Sequence, residues 1–515
     1  MSDWVRLSPS DQVIVVLRPF GQGEAIILED GASVTLQKEV LRGHKIATAF
    51  VPLGADVLKF GYSIGKATED ITPGDWVHTH NLASGLQGIT EYRYEPMEVD
   101  EAGTLSSRLS ADAGRTFQGY VRANGEVGIR NEIWILNTVG CINKTCEILA
   151  KRGEAAFANR ANAADGNAVA GDVDGVFHFA HPFGCSQLGD DLRHTRKLLA
   201  SLVHHPNAAG VLVVGLGCEN NQIEGFKEAI GDYDPRRVKF LKSQESEDEL
   251  EEGLALIAEL AEYARTFKRQ TVPVSKLKLG LKCGGSDGLS GITANPLVGA
   301  VSDRLIGAGG TAVLTEVPEM FGAETILMNR AADEAVFGSI VSLINDFKQY
   351  FIRHGQEVYE NPSPGNKEGG ISTLEEKSLG CTQKGGHATV ADVRPYGDRV
   401  VKHGLNLVEA PGNDLVSVTA LTAAGAHIVL FTTGRGTPFG GPVPTVKIST
   451  NAELAARKKH WIDYDAGQLL EGRNMSELAD GLWETILSIA SGEARTHNET
   501  NGFREIAIFK DGVIL

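Results

Sequence analysis

Cysteine is scarce in this sequence, and its spacing excludes common structural roles. Six cysteines occur among 515 residues, and no two of them form a Cys-x-x-Cys pair. This number is too small for the disulfide framework of a secreted domain. We therefore expect free thiols.

Long apolar runs and an excess of positive charge are also lacking. No run in the sequence approaches the roughly 20 apolar residues that span a bilayer, and Met1–Arg6 has no charged-then-apolar signal pattern. The sequence has 49 Lys and Arg but 66 Asp and Glu, which gives a net charge of −17. This charge repels a nucleic-acid backbone. We predict a cytoplasmic protein that binds neither membrane nor nucleic acid. We expect a homo-oligomer, with a dimer favoured.

The distribution of apolar residues predicts four regions. Residues 1–94 contain short β-like runs between turn signals, typical of a small all-β module. Residues 95–116 are acidic and poor in large apolar side chains, which indicates a linker. Apolar runs then alternate with helical patterns, as in parallel α/β layers. We assign 117–274 and 275–515 to two α/β domains and interpret 155–175 as a flexible insertion.

The individual elements follow from periodicity. The predicted strands are Val13–Leu17, Glu24–Leu28, Val57–Phe60 and Asp75–His78 in the module, and Ile133–Leu136, Val176–Phe179, Val211–Val214, Leu279–Leu281, Ala312–Leu314 and Ile428–Phe431 in the body. The predicted helices are Leu192–Leu202, Glu251–Ala264 and Glu334–Phe347.

Four cysteines come just after predicted strands: Cys141, Cys185, Cys218 and Cys283. Ligands bind outside the carboxyl ends of the strands in open parallel sheets. If these strands share an edge, the four thiols converge on one pocket. Alternatively, each cysteine is a small buried apolar side chain.

Small polar residues surround these cysteines. Glu219 follows Cys218, and Ser286 and Asp287 follow Cys283, which suits a sugar ligand. Arg435 lies between two glycines and offers a guanidinium to a carboxylate, and the segment Asn361–Lys367 is similar in character. Ordinary turn chemistry is the alternative interpretation of each loop.

Histidine suggests a metal site in the β module. The spacing of His78 and His80 predicts two imidazoles on one face of a β segment, compatible with one metal ion, and His44 lies in the same module. A solvated strand end is the alternative, because a lone His-x-His is a weak signal. His181, four residues before Cys185, is a further candidate ligand or base.

Known short sequence motifs argue against two nucleotide cofactors and suggest one alternative enzyme class, a serine hydrolase. Gly215–Asn220 lacks the third glycine of a dinucleotide fingerprint, and the sequence has no phosphate-binding P-loop, so NAD and ATP are not supported. Gly284–Gly288 fits the Gly-x-Ser-x-Gly elbow of a serine hydrolase with Ser286 as nucleophile. The elbow requires a helix directly after the serine, whereas Leu289–Pro296 reads as a loop, which disfavours this class.

The longest polar strings resemble the altronate and galactarate dehydratase family nearly end to end. They are Gly215–Gln222, Cys283–Pro296, Asn361–Lys367 and Thr433–Pro438. Two further segments, His78–Asn81 and Ser378–Lys384 around Cys381, resemble the altronate branch. The insertion at 155–175 is longer than this family pattern leads us to expect.

The resemblance implies an N-terminal SAF module of β-clip fold, an α/β catalytic body and dependence on Fe²⁺, with Mn²⁺ possible. It implies a hydro-lyase that dehydrates D-altronate to 2-dehydro-3-deoxy-D-gluconate in hexuronate catabolism, with galactarate as the alternative substrate. A divalent ion would stabilise the enediolate formed when the C2 proton is removed. A non-catalytic binding module is the remaining class, disfavoured by the long body.

Roles for individual residues remain open among several candidates. The acid and base candidates are Glu219, Asp287, His181 and Lys384. The substrate-binding candidates are Ser286, Asn366, Lys367, Arg435 and Thr437. The favoured metal ligands are His44, His78 and His80, and the alternative is an iron–sulfur cluster on Cys141, Cys185, Cys218 and Cys283.

Overall fold

The computed structural model describes residues 3–97, 112–163 and 173–515. Most of the predicted linker and the middle of the predicted insertion lie outside the described residues. In the described ranges, no helix is long and apolar enough to cross a membrane.

Short antiparallel strands build the N-terminal module, which confirms the predicted all-β character. The strands are β1 (Trp4–Val5), β2 (Val13–Val16), β3 (Ala25–Ile27), β4 (Ser33–Thr35), β5 (Lys45–Ala47), β6 (Asp56–Lys59), β7 (Tyr62–Ala67), β8 (Trp76–Val77) and β9 (Leu82–Ala83). They form the sheets β1-β2-β5-β8 and β6-β7-β9 and the hairpin β3-β4. Alternate residues of β2 enter two small cores, Val13 one and Ile14 and Val16 the other.

A small antiparallel sheet that the sequence did not predict precedes the α/β body. It consists of β10 (Thr116–Val121), β11 (Val127–Gly128) and β16 (Arg269–Pro273), in the order β11-β10-β16. Since β10 pairs with β16, the chain returns to its starting point after the first parallel sheet.

The first parallel sheet has the order β13-β12-β14-β15. Its strands are β12 (Glu132–Asn137), β13 (Val176–His178), β14 (Ala208–Gly215) and β15 (Val238–Lys242), and its helices are α1 (Asn143–Ala163), α2 (Gly189–Val203), α3 (Ile223–Ile230) and α4 (Glu249–Ala264). All eight residues of β14 are buried, as expected of a strand covered on both faces. The predicted strands and helices of this region are confirmed.

The second parallel sheet has the order β19-β20-β18-β17-β21-β22-β23. Its strands are β17 (Lys278–Cys283), β18 (Thr311–Leu314), β19 (Val390–Arg394), β20 (Gly404–Val408), β21 (Ile428–Thr433), β22 (Thr445–Ser449) and β23 (Tyr464–Asp465). Its helices are α5 (Ala294–Gly307), α6 (Glu324–Met328), α7 (Glu334–Arg353), α8 (Pro364–Glu368), α9 (Leu374–Cys381), α10 (Asp414–Ala423), α11 (Ala452–Arg457), α12 (Met475–Ser491) and α13 (His497–Asn501).

Two shared interfaces position the regions. Trp134 and Val211 of the first sheet belong to the same apolar cluster as Val429 and Phe431 of the second. Helix α9 packs against the β module, and all eight of its residues are buried. The β module is therefore held against the second α/β region through α9.

Candidate active site

Glycine-rich loops meet where the strand order of the second sheet reverses. Strand β18 lies on one side of β17 and β21 on the other, and the crevice at such a reversal is the usual ligand site of parallel sheets. The two loops are joined there, because Gly285 O accepts hydrogen bonds from Gly434 N (3.0 Å) and Arg435 N (2.9 Å).

A buried ion-pair cluster lies at this edge. Lys282 pairs with Glu316 and with Asp414 Oδ1 at 3.0 Å, and Lys384 Nζ lies 3.0 Å from Glu316 Oε2. The side chains of Lys282, Glu316 and Lys384 are at most 1% exposed. Burying charges costs several kcal/mol per ion even when they are paired. Such a cluster at a ligand-binding edge therefore indicates function.

Glu316 combines backbone strain with a near-neutral pKa. Its φ is +70°, in the left-handed region, which costs a non-glycine residue of order 1–3 kcal/mol. Burial raises the pKa of Glu316 to about 7, although Lys282 and Lys384 favour its ionised form. A carboxyl with this pKa can take up and release a proton at neutral pH.

A second pair connects the cluster to α9 and to the 361–370 loop. Glu319 accepts hydrogen bonds from Lys377 Nζ (2.9 Å) and from the Cys381 thiol (3.2 Å). Burial opposes ionisation of Glu319, but Lys377 and the neighbouring lysines hold its pKa at about 2. Lys377 also donates to Asn366 Oδ1 at 3.2 Å.

Two buried thiols complete the cluster. Cys283 Sγ lies 2.8 Å from Ser286 Oγ. The neighbouring Cys381 thiol and the charge of Lys384 lower the pKa of Cys283, against the effect of burial. Its proximity to Cys283, together with burial, raises the pKa of Cys381. Cys283 is therefore the more acidic thiol of the pair. Because Ser286 contacts Cys283, and α5 begins only at Ala294, the geometry of a hydrolase elbow is not present at Ser286.

The five substrate-binding candidates lie on three adjoining loops. Asn366 Nδ2 donates to Ser286 O at 2.8 Å, and Gly288 N donates to Gly369 O at 2.7 Å. Arg435 is 48% exposed and pairs with Glu368 at 3.1 Å. Lys367 is half-buried on α8, and the carbonyl of Thr437 accepts from Lys447 at 3.0 Å. The structure thus brings the loops together, and their role in substrate binding stays a prediction.

The β module forms one wall of this region. A small pocket is lined by Lys59 and Phe60 of the module and by Ser286, Lys377 and Cys381 of the body.

A second buried ion-pair group ties the module to α9. Glu376 pairs with both Lys45 and Lys59 at 2.8 Å. Burial lowers the pKa of Lys45 to about 8, and the two lysines hold the pKa of Glu376 at about 2 in spite of burial.

The histidines occupy this interface in a different arrangement from the predicted one. Strand β8 ends at Val77, so His78 and His80 lie on the following turn and not on one strand face. His78 is buried with Nδ1 at 2.9 Å from Ser372 Oγ, whereas His80 is exposed. The assumption of a longer strand was wrong, because the sequence signal of β8 extends past its last paired residue.

The predicted three-histidine metal site does not fit this geometry. His44 Nδ1 accepts a hydrogen bond from Trp76 at 3.1 Å, and its Nε2 lies 3.2 Å from Glu368 O, so both ring nitrogens are engaged. Across residues 3–97, 112–163 and 173–515, no three His, Cys, Asp or Glu side chains are arranged to hold a metal ion.

Two acid–base candidates instead organise loops of the first sheet. Glu219 accepts from Leu216 N (3.0 Å), Gly217 N (2.6 Å) and Thr138 Oγ1 (2.5 Å). His181 Nε2 lies 2.8 Å from Asn137 O, and its Nδ1 accepts from Phe183 N. Burial lowers the pKa of His181 to about 4. These contacts favour structural roles for both residues.

The remaining candidates divide between the two sheets. Asp287 accepts from Thr450 Oγ1 (2.9 Å) and Ser290 Oγ (3.1 Å), which fixes its loop. Cys283 lies on the second sheet, whereas Cys141, Cys185 and Cys218 lie on the first. The expected convergence of four thiols was wrong, because the strands belong to different sheets.

Sequence reasoning missed four members of the buried ion-pair cluster. Lys282, Glu316, Glu319 and Lys377 were not among the candidates. A signal did exist for two of them: Glu316 and Glu319 follow the buried strand β18 almost directly, in a segment otherwise made of apolar residues and Pro.

Three protein-family models match the chain. They are the altronate/galactarate dehydratase SAF domain over residues 2–85, the D-galactarate dehydratase/altronate hydrolase second domain over 119–265, and the D-galactarate/altronate dehydratase C-terminal domain over 274–514.

Full-length relatives agree with these matches. The chain is 53% identical to an altronate dehydratase of Escherichia coli, covering 99% of this chain and 100% of the relative. It is 51% identical to an altronate dehydratase of Bacillus subtilis over the full length of both. It is 30% identical to the galactarate dehydratase (L-threo-forming) of Escherichia coli, over 98% of this chain and 96% of the relative.

Proposed function

Because this chain belongs to the altronate/galactarate dehydratase family, we propose that it is a hydro-lyase that converts D-altronate to 2-dehydro-3-deoxy-D-gluconate and water. The supporting observation is identity above 50% to two altronate dehydratases over essentially the whole chain. Galactarate is the second candidate substrate, supported by the lower identity of 30%.

The reaction removes the proton from C2 and the hydroxyl from C3 of the sugar acid. We assign the proton transfer to Glu316, whose pKa of about 7 suits a group that is first base and then acid. Glu316 takes the C2 proton and returns it to the departing C3 hydroxyl, so that water leaves and an enol remains. The enol then ketonises by taking up a proton at C3.

The developing negative charge needs a fixed cation. Lys384 supplies one, because the neighbouring Cys381 and Glu316 raise its pKa in spite of burial. Its Nζ is within 3.0 Å of Glu316 yet has no well-aligned hydrogen-bond acceptor among the described residues. An ammonium group with free donors next to the base can stabilise the enediolate. Arg435 and Lys367 hold the substrate carboxylate, and Ser286, Asn366 and Thr437 contact its hydroxyls.

The proposal also covers metal dependence, location, oligomeric state and partners. The resemblance implies a requirement for Fe²⁺ or Mn²⁺, and we propose that the enzyme loses activity when a chelator removes this ion. A cytoplasmic homodimer is proposed, and sedimentation of the purified chain tests its stoichiometry. The net charge of −17 supports a small-molecule partner rather than nucleic acid.

Turnover in deuterium oxide tests the reaction itself. A dehydratase leaves one deuterium at C3 of the keto acid, because ketonisation takes its proton from solvent or from an exchanged group. A hydrolase acting through Ser286 leaves every carbon-bound proton in place. Parallel reactions with altronate and galactarate decide between the two substrates. If neither acid gives a labelled keto acid, the proposal is wrong.

A further inference from the structure

The tight turn between β6 and β7 holds a phenylalanine in a conformation that phenylalanine disfavours. Lys59 pairs with Tyr62 across the hairpin, so Phe60 and Gly61 alone form the loop. Their φ values are +61° and +79°, as in a type I′ turn, whose first position prefers asparagine, aspartate or glycine. A bulky residue in the left-handed region costs of order 1–3 kcal/mol. Turn chemistry therefore does not explain Phe60.

A buried carboxylate holds the turn in this conformation. Asp11 is 4% exposed. Its Oδ2 accepts a hydrogen bond from Phe60 N at 3.1 Å, and its Oδ1 accepts one from Gly61 N at 2.8 Å. Ser8 N also donates to Oδ2, at 3.0 Å. These bonds offset part of the strain and fix the backbone from which the Phe60 ring projects.

The Phe60 ring lies against the second α/β region. A Cβ added at Gly291 would be 3.0 Å from Phe60 Cζ, so the ring is next to the loop that follows β17. The ring also packs against the apolar cluster that contains Leu379 of α9. The residue that is unfavourable within the module is therefore one that contacts the body.

Phe60 lies at the boundary of two cavities. A small pocket of about 10 Å³ is lined by Phe60, Lys377 and Cys381, and this volume has room for about one water molecule. A larger cavity of about 810 Å³ is lined by Phe60 and by the exposed residues Tyr62 and Met97, so it is open to solvent. Among the described residues, Phe60 alone lines both cavities.

The small pocket leads to the proposed catalytic groups. Lys377 Nζ and the Cys381 thiol both donate to Glu319, and Glu319 N donates to Glu316 O at 2.8 Å. Water that enters a site weakens the interactions between its charges. Access of water to this pocket therefore affects the cluster that contains Glu316 and Lys384.

We propose that Phe60 is a positioning residue of the crevice: its ring closes the small pocket against the larger cavity and keeps water from Lys377 and Glu319. This role accounts for a strained phenylalanine where asparagine or glycine makes a better turn. The consequence for turnover rests on the hydro-lyase function proposed above, whereas the closure itself does not.

Two variants of the full chain separate closure from turn stability. Phe60→Asn places a preferred turn residue at this φ but removes the ring. Because relief of the strain offsets the lost apolar contact, its melting temperature should stay within about 3 °C of the native value. Phe60→Leu keeps an apolar side chain and the strain, so it serves as the conservative variant.

Alkylation of buried thiols by iodoacetamide measures the closure without any substrate. Cys381 lines the small pocket, and Cys283 Sγ lies 2.8 Å from Ser286 Oγ in the lining of the same pocket. Peptide mass spectrometry should show these two thiols labelled about tenfold or more faster in Phe60→Asn than in the native chain, and only slightly faster in Phe60→Leu. Cys146, which is buried on α1, should be labelled equally slowly in all three chains.

Steady-state kinetics with altronate measure the consequence for turnover. Phe60→Asn should lower kcat by about tenfold or more with little change in KM, because an apolar ring makes no hydrogen bond to a sugar acid. Phe60→Leu should recover most of this loss.

Three results would overturn the proposal. Native labelling rates of Cys283 and Cys381 in Phe60→Asn would show that the ring does not close the pocket. Equally accelerated labelling of Cys146 would show that the ring only stabilises the fold. Faster labelling of the pair with unchanged kcat would show that closure does not matter for turnover. A native chain that does not convert altronate would instead contradict the proposed function, and the labelling rates would still decide whether Phe60 closes the pocket.

Discussion

Neutralising Glu376 should detach α9 from the β module. Glu376 pairs at 2.8 Å with Lys45 and Lys59, and all three side chains are at most 3% exposed. Its pKa is lowered from an ordinary value of 4.5 to about 2, which at ~1.4 kcal/mol per pKa unit corresponds to about 3 kcal/mol. Breaking a buried pair costs a similar 3–5 kcal/mol. Lys45, with a pKa of about 8, can release its proton and limit the loss. We expect Glu376→Gln to cost about 3 kcal/mol.

The adjacent residue provides a matched control. Glu375 accepts from Gly85 N (2.7 Å) and Ser84 Oγ (3.0 Å), and burial raises its pKa. Because the structure already disfavours its charge, Glu375→Gln should cost under about 1 kcal/mol.

Hydrogen exchange followed by mass spectrometry measures the difference locally. Amides of Leu374–Cys381 should exchange about a hundredfold faster in Glu376→Gln than in the native chain, and little faster in Glu375→Gln. In the native chain this stabilisation is present above pH 4.5 and is lost as the pH falls towards 2, since the folded pKa is the lower one. Equal exchange in the two variants would refute the reasoning.

Three further predictions concern catalysis and packing. Glu316 must be deprotonated to act as the base, so kcat/KM should fall tenfold per pH unit below about 7. This fall at low pH should be absent from the residual activity of Glu316→Gln. If the variant shows the same fall, the titrating group is a different residue. Lys384→Met should lower kcat by about a hundredfold or more, whereas a loss confined to KM would make Lys384 a binding residue only. Gly291→Ala should destabilise the chain by about 1–3 kcal/mol, because the new Cβ would lie 2.8 Å from Gly380 Cα. Gly338→Ala, whose Cβ would have no atom within 4 Å, should be neutral or stabilising. Thermal unfolding of both variants measures the difference in stability.

The regular elements were predictable because they depend on local periodicity. The run Val211–Val214 lies inside β14, and the pattern Glu251–Ala264 ends where α4 ends. The antiparallel sheet of β10 and β16 was missed, because it joins segments about 150 residues apart and neither carries a distinctive pattern. Which strands share a sheet is likewise non-local, so the sequence could not separate Cys283 from the other three cysteines.

Only the loops of the candidate site, and not its buried charged residues, could be predicted from the sequence. Loops rich in glycine and small polar residues predicted Ser286, Asn366 and Arg435 as separate substrate-binding candidates, whereas the contacts between their loops are seen only in the structure. Glu316 was missed because a glutamate in sequence reads as a surface residue. Its importance lies in its burial and its φ of +70°, which are consequences of tertiary packing.

Helix α9 contacts both the β module and the crevice of the α/β body, so it connects the two. Its successive residues Glu375, Glu376 and Lys377 contact the end of the module, the strands of the module and Glu319 of the body, respectively. Successive residues of a helix point about 100° apart, so a slip by one residue breaks all three contacts at once. All three contacts are made together in the arrangement that the structure shows. A ligand that contacted Lys377 only while the module is seated would favour that arrangement, and by reciprocity the seated module would bind that ligand more tightly.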